Sequence, residues 1–245
     1  MSNKRLYVDA PIKLNADLHL HGNHARYIGR VLRLRPDDAL TVFDGNGNEF
    51  LVTIRSIRKD VVETTVIEAL DRSPESPLSV TLMQGVSRGD RMDFAIQKAT
   101  ELGVTRIVPV LTDYSVVKLN TNRAEKKQAH WESVAASACE QCGRNVLPVI
   151  DAPRGLVNVL ADYHGKLSTR ILLKPGANRT LKSLDIDGND VTVLVGPEGG
   201  FSDLEYENAE IAGFLPIGFG PRVLRTETAA LAALAALQSL YGDLS

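Results

Sequence analysis

Downstream of residue 78 the chain alternates short apolar runs with helical ones, an order that few folds satisfy. VTLMQGV reads as a strand, RMDFAIQKATEL as a helix and RIVPVL as a strand, after which a long helix ends near Cys142. Further strands are expected at Thr169 to Leu173, Val191 to Val195 and Leu215 to Ile217. Strands separated by helices pair mostly in parallel and need cover on both faces. This part of the chain is therefore expected to be an α/β domain whose ligand lies beyond the carboxyl ends of its strands.

The upstream region reads differently. LTVFDGNGNEFLVTI has β-rich arms around Asp44, Gly45, Asn46 and Gly47, turn residues that readily supply positive φ. DRSPESPL, Asp71 to Leu78, has the prolines, serines and mixed charge of an exposed linker. A mainly β domain over residues 1–72 and an α/β domain over residues 73–245 are expected. In HARYIGRVLRLR, Arg26, Arg30 and Arg33 fall at helical spacing, and Tyr27, Val31 and Leu34 fall at the same spacing on another face. No acid occurs from Gly22 to Arg35, so this is either a phosphate-contacting surface or an ordinary solvated face. The formal net charge is only -2, so a nucleic-acid partner would have to read such a local surface.

The start, MSNKRLYVDAPIKL, lacks the apolar core and cleavage site of a secretory signal. The most apolar stretch, Ala229 to Leu237, is far shorter than the roughly 20 residues of a spanning helix. A cytoplasmic chain with no membrane segment is expected. Cys139 and Cys142 are the only cysteines, in C-x-x-C spacing, and nothing supplies the second Cys or His pair of a zinc site. They end a helix whose face carries Trp131, Val134, Ala138 and Cys142, with Gly143 as the stop, so the helix dipole opposes thiolate formation. Reduced thiols and no metal are expected.

Two loops carry the candidate chemistry. After the strand VTVLV come Gly196, Pro197, Glu198, Gly199, Gly200 and Phe201, then a capping box over Ser202 to Glu205. Bare backbone there approaches whatever fills the crevice, although a plain tight turn would look similar. After Leu215 to Ile217 come Gly218, Phe219, Gly220, Pro221, Arg222, Val223, Leu224, Arg225, Thr226 and Glu227, leading into an Ala/Leu helix. The third position of a dinucleotide fingerprint is Val223, and no G-x-x-x-x-G-K phosphate loop exists, so nicotinamide and nucleoside-triphosphate readings lose support. The two loops are expected to end adjacent strands and jointly enclose a flat polar ligand. Thr226 is then the cap of the last helix and Glu227 lies in its first turn. Arg222 and Arg225 are either functional or paired with an acid such as Glu227.

LVGPEGGFS and LPIGFGPRVLRTETAALAALAALQ closely resemble the signature loops of the RsmE family, uridine-N3 methyltransferases of 16S ribosomal RNA in the knotted SPOUT class. HARYIGRVLRLRPDD, FDGNG, QGVSRGDRMDFAIQKATELGV and ACEQCGR extend the resemblance over nearly the whole chain. Phe219 departs from it, standing where the family usually has leucine. The resemblance implies a PUA-like β-barrel for RNA binding, a trefoil-knotted α/β methyltransferase domain and a homodimer. It also implies an S-adenosylmethionine pocket of Leu173, Lys174 and Pro175, of Gly196 to Gly200, and of Ile217, Gly218, Phe219, Gly220, Arg222, Leu224, Arg225 and Thr226.

For methyl transfer to uridine N3, whose proton must leave, Arg222 or Arg225 is expected to stabilise the anion and Glu198 or Glu227 to accept the proton. Either carboxylate serves equally well on paper as a cofactor contact. N3 lies on the Watson–Crick edge, so the base must be unpaired or extruded. Arg26, Arg30, Arg33, Arg88, Arg91 and Lys98 are the candidate phosphate contacts. Gln141 and Arg144, matching the family's Glu-Gln-x-x-Arg pattern, are candidates for the pocket edge. A ribose 2′-O-methyltransferase of the same class and a non-catalytic RNA-binding ribosome assembly factor are the alternatives.

Overall fold

The computed structural model describes residues 4–72, 74–115, 121–163, 168–186 and 188–244; Ser73 of the expected linker and the first three residues of the expected non-signal start lie outside these. In chain order the elements are β1 (Arg5–Tyr7), β2 (Asp17–His21), α1 (Asn23–Arg26), β3 (Ala39–Phe43), β4 (Glu49–Ile57), β5 (Val61–Leu70), β6 (Ser79–Gly85), α2 (Asp90–Glu101) and β7 (Arg106–Leu111). They continue as α3 (Thr121–Cys142), β8 (Val149–Ile150), β9 (Arg154–Gly155), α4 (Leu156–Ala161), β10 (Thr169–Leu173), β11 (Asp190–Val195), α5 (Asp203–Ile211), β12 (Leu215–Ile217) and α6 (Thr226–Tyr241). The chain forms two compact units: Met1–Glu75 with Ala136–Leu147, and Ser76–Ala135 with Pro148–Ser245. The return of Ala136–Leu147 to the first unit has no counterpart in a division at residue 72.

In the first unit five strands pair in the order β1-β3-β4-β5-β2. The β3–β4 hairpin turns at Asp44 to Asn48, where the Asp44 carboxylate accepts from the backbone N–H of Asn46 at 2.8 Å. Gly45 and Gly47 supply the positive φ angles, 77° and 103°. Register shifts at Leu51/Val52 and Ile54/Ser56 bend β4 against β5. The concave face collects Leu20, Ile28, Leu40, Val42, Val52, Ile54 and Val62. The basic segment is not the regular helix expected. After α1 it widens to a π-helix over Tyr27–Val31, and Arg33 takes φ 53°. This rotates the faces, so Ala25, Ile28 and Leu34 are buried while Tyr27 and Val31 remain 40% and 64% exposed. Arg26, Arg30 and Arg33 are all exposed.

Arg5 is the hub of this unit. Its guanidinium, 3.9 Å above the Phe43 ring, donates to Glu49 Oε1 at 2.7 Å, the Cys139 carbonyl at 2.6 Å, the Arg144 carbonyl at 2.8 Å and the Asn145 side chain. Arg144, placed by sequence at a pocket edge, is 5% exposed, and its guanidinium pairs with Glu75 at 2.8 Å. That correction has a physical cause: the last turn of α3 and the following loop form a wall of the β unit. Cys139 is a buried free thiol whose pKa is pushed up, first by its hydrogen bond with Cys142 and then by burial. The buried face of α3 runs through Trp131, Ala135, Ala138 and Cys139, with Val134 and Cys142 at its margin, and α3 is followed by Gly143 at φ 92°.

The second unit has a sheet of seven strands, β12-β10-β11-β6-β7-β8 with β9 also on β7, and every pairing is parallel. Helices α2, α3 and α6 cover one face through Met92, Ile96, Trp131, Ala230, Leu234 and Leu237. Helices α4 and α5 cover the other through Leu156, Val159, Leu160 and Ala209. In α6 the side chain of Gln238, fully buried, accepts from Ser76 at 2.6 Å and donates to the Leu102 carbonyl at 3.1 Å. Among the described residues no helix is long and apolar enough to cross a membrane.

Removing the Arg5 guanidinium strands the Glu49 carboxylate in the core. Arg5→Met is expected to cost about 3–5 kcal/mol, the usual loss when one partner of a buried pair is deleted. Urea denaturation followed by circular dichroism checks this, and a loss below about 1 kcal/mol would show that the hub is dispensable.

Candidate active site

The loops read from sequence do meet, although the strands they follow are not neighbours: β10 lies between β11 and β12. The crevice is therefore built on three strand ends. It forms where the chain leaves β11, crosses in α5 and enters on the far side of β10, a change of winding direction that opens ligand crevices in parallel sheets.

A cavity of about 450 Å³ occupies this place, within the roughly 300–1,000 Å³ typical of small-molecule sites. Leu173, Lys174 and Pro175 come from the end of β10, and Gly196, Pro197, Glu198 and Gly200 from the loop after β11. Ile217, Phe219, Gly220, Arg222, Leu224, Arg225, Thr226 and Glu227 come from the passage between β12 and α6. Two expected residues do not line it. Gly199 packs on Tyr114, and Gly218 lies against the Ala177 carbonyl, where a Cβ would overlap backbone.

Close backbone packing sets the loop position. A Cβ on Gly85, the last residue of β6, would collide with the backbone of Gly196 and Pro197. Thr226 is not the cap expected of it, because the N-cap is Arg225 and no side chain caps the helix. Instead its hydroxyl accepts from Gln84 Nε2 at 2.8 Å and donates to the Gly196 carbonyl at 2.5 Å. This ties the ends of β6 and β11 to the start of α6. The Ser202 capping box forms as expected, with Glu205 accepting from the Ser202 N–H at 2.9 Å.

The charges in the cavity are unequal in their commitments. Glu198 accepts from Arg91 Nη1 at 2.7 Å and from the Arg88 N–H at 3.3 Å. Partial burial works against its ionisation, but its own backbone N–H, the Arg91 guanidinium and the Arg88 N–H together lower its pKa below the usual 4.5. One oxygen of Glu227, by contrast, is buried without a hydrogen-bond partner. Arg222 and Arg225 are exposed and make no ion pair among the described residues, so neither is neutralised by Glu227. Unsatisfied acceptor, bare glycine backbone, apolar Leu173, Ile217 and Leu224, and two free cations suit a flat ligand with polar edges and a site that handles negative charge.

Of the expected phosphate contacts, Arg91 instead lines the cavity and holds Glu198, and Lys98 pairs with Glu101 at 2.7 Å. Arg88 is exposed. Gln141 is exposed in the first unit. Sequence reading missed Tyr206, whose ring lines the cavity beneath Lys174 at 4.7 Å and packs on Phe201 at 5.4 Å. The signal was present: Phe201 precedes the Ser202 cap and Tyr206 is the fourth helical residue, the positions of a hydrophobic staple.

Residues 74–238 match the family described as RNA methyltransferase domain, and residues 20–67 match RNA methyltransferase PUA domain. The chain is 37% identical to ribosomal RNA small subunit methyltransferase E of Buchnera aphidicola, over 98% of each chain. It is similar to the crystal structure of the enzyme of that name from Neisseria gonorrhoeae bound to S-adenosyl methionine, with TM-score 0.91 and 37% identity over 98% of this chain and 99% of that one. A Legionella pneumophila protein solved in complex with the same cofactor is similar over 100% of both chains, with TM-score 0.94 and 36% identity. With identity at this level over nearly the full length, and the family model matched over residues 74–238, the chain belongs to the ribosomal RNA small subunit methyltransferase E family.

Proposed function

We propose that this chain transfers a methyl group from S-adenosylmethionine to N3 of a uridine in 16S ribosomal RNA of the small subunit. The observation that carries the reading is the cavity at the ends of β10, β11 and β12, with its orphan Glu227 oxygen and its unpaired Arg222 and Arg225. The cofactor supplies an electrophilic methyl group on a sulfonium centre when bound. The backbone of Gly196, Pro197, Glu198 and Gly200 and the apolar Leu173, Ile217 and Leu224 would hold it, with Lys174, Pro175, Phe219, Gly220 and Thr226 completing the walls. Arg222 or Arg225 stabilises the uridine anion that forms as the N3 proton leaves. Glu227 is the better proton acceptor of the two carboxylates, because Glu198 is already engaged by Arg91.

The same reading carries three further features. A trefoil knot is supported by the path of the chain, which reaches β12 beyond β10 and then returns to seat α6 on β11 and β6. A homodimer is supported by Phe94 on α2 and by Leu240 and Tyr241 on α6, apolar residues left exposed on two helices that pack together. Sedimentation equilibrium is expected to give twice the chain mass, and one chain mass at every concentration would overturn the dimer. The location is cytoplasmic, where ribosomal RNA is met.

Incubation with methyl-labelled cofactor and small subunits lacking the modification is expected to put label in 3-methyluridine. Label in a ribose-methylated nucleoside would overturn the substrate atom, and no label with no cofactor binding would favour an assembly factor. Glu227→Gln is expected to lower kcat by about 10²–10⁴-fold, with cofactor affinity measured separately; full turnover would reject the base assignment. The lowered pKa of Glu198 means that its stabilisation is complete above about pH 4.5 and is lost as pH falls through the folded value. The parent should therefore lose more stability on acidification below that pH than Glu198→Gln does, and parallel acid melting curves would contradict this.

A further inference from the structure

Tyr114 stands in the loop after β7, outside the cavity lining and outside the core clusters of the described residues. Its surroundings are unusually fixed for an exposed aromatic. The preceding Asp113 donates its N–H to Glu205 at 2.9 Å and accepts from the Ser202 hydroxyl at 2.7 Å. The following Ser115 donates its N–H to the Thr112 carbonyl at 3.0 Å, and its hydroxyl accepts from the Thr112 N–H at 3.0 Å. Behind it Gly199 has no side chain, and a Cβ there would come within 2.8 Å of Tyr114 Cβ. The residue is nonetheless 54% exposed.

The loop that backs Tyr114 is the one whose other members line the cavity. Glu198, next to Gly199, accepts from the backbone N–H of Arg88, whose guanidinium is exposed and makes no ion pair among the described residues. Tyr114 and the exposed Arg88 thus both attach to the Glu198–Gly199 step, Arg88 through its backbone N–H and Tyr114 through its Cβ. Aromatic plus cation is the pairing that holds single-stranded nucleic acid, the ring stacking on a base and the cation meeting a phosphate. A target base presented by its Watson–Crick edge leaves the helical stack, so it and its neighbours need a new stacking partner.

We propose that Tyr114 is a stacking platform for a nucleobase of the RNA substrate, with Arg88 holding a phosphate of the same strand; this rests on the RNA methyltransferase reading above. The platform lies outside the cofactor cavity, so it acts on RNA affinity and leaves cofactor affinity unchanged. Its anchors, Asp113 and Ser115, need no side chain at position 114, so substitutions there preserve the fold.

The test compares Tyr114→Ala, Tyr114→Leu and Tyr114→Phe. Three quantities are read: cofactor affinity by calorimetry, KM for unmodified small subunits, and equilibrium binding of a single-stranded uridine-containing oligonucleotide without cofactor. Tyr114→Ala is expected to weaken both RNA readouts by roughly ten- to a hundred-fold, with cofactor affinity within two-fold of the parent. Tyr114→Phe should restore RNA binding and Tyr114→Leu, with bulk but no π face, should not. RNA readouts within about two-fold of the parent in Tyr114→Ala, or equal rescue by Leu and Phe, would overturn the platform. So would a parallel loss of cofactor affinity, which marks a packing role. If the parent transfers no methyl group yet its oligonucleotide binding still depends on Tyr114, the catalytic reading fails and the platform stands. Failure of the parent to bind either RNA overturns both.

Discussion

The cavity in the second unit depends on a missing side chain. Gly85 ends β6 where the backbone of Gly196 and Pro197 occupies the space that a Cβ would need, so the loop after β11 can settle directly on its neighbouring strand. Once it is settled, Thr226 is placed to receive the Gln84 amide and to donate to the Gly196 carbonyl. That one hydroxyl sets the first turn of α6, and with it the direction in which Arg225 and Glu227 leave the backbone. Single hydrogen bonds of this kind contribute only about 0.5–1.5 kcal/mol net. Their value here is geometric, because they hold the ends of β6 and β11 and the start of α6 in one arrangement.

The division of labour among the charged groups follows from the same geometry. Glu198 projects back toward α2 and meets Arg91, whereas Glu227 begins a helix whose entrance carries arginines with no carboxylate of their own. Two glutamates that are interchangeable by spacing become distinct by environment. One is a structural anion that fastens a loop to a helix start. The other keeps a buried oxygen with no hydrogen-bond partner, a cost in stability at the group to which we assign proton acceptance.

Much of this was legible in the residues. The period of the apolar runs gives the parallel sheet, the Asp44–Gly47 turn gives the β3–β4 hairpin, and the Ser202 to Glu205 box gives the start of α5. What was not legible depends on tertiary partners. The order β11-β10-β12 cannot be deduced from local pattern, because a strand's neighbours are chosen by crossover geometry. Thr226 reads as a cap by position, and only the approach of Gln84 and Gly196 redirects its hydroxyl. The basic segment after Gly22 follows a period of 3.6 on paper, yet the π turn at Tyr27–Val31 exposes Tyr27 and Val31, two of the three residues that pattern would bury, and keeps only Leu34 inside. Arg144 is expected at a pocket edge from the family's Glu-Gln-x-x-Arg pattern, and nothing in its own neighbourhood announces Glu75 as its partner.

The Arg5 hub bears on how the polypeptide is made. Three of the four acceptors of its guanidinium, the carbonyls of Cys139 and Arg144 and the side chain of Asn145, lie in the returning segment Ala136–Leu147. A nascent chain emerging from its N-terminus therefore holds Arg5 and Glu49 long before it holds the other three acceptors of that guanidinium, and a charge is costly to seal into an apolar core without its partners. The first unit must wait, unfinished, while β6, α2 and β7 of the second are synthesised. N-terminal domains usually complete themselves first as translation proceeds. In this protein the β unit cannot complete its core until residue 147 has emerged, so β1 is among the last parts of that core to be locked.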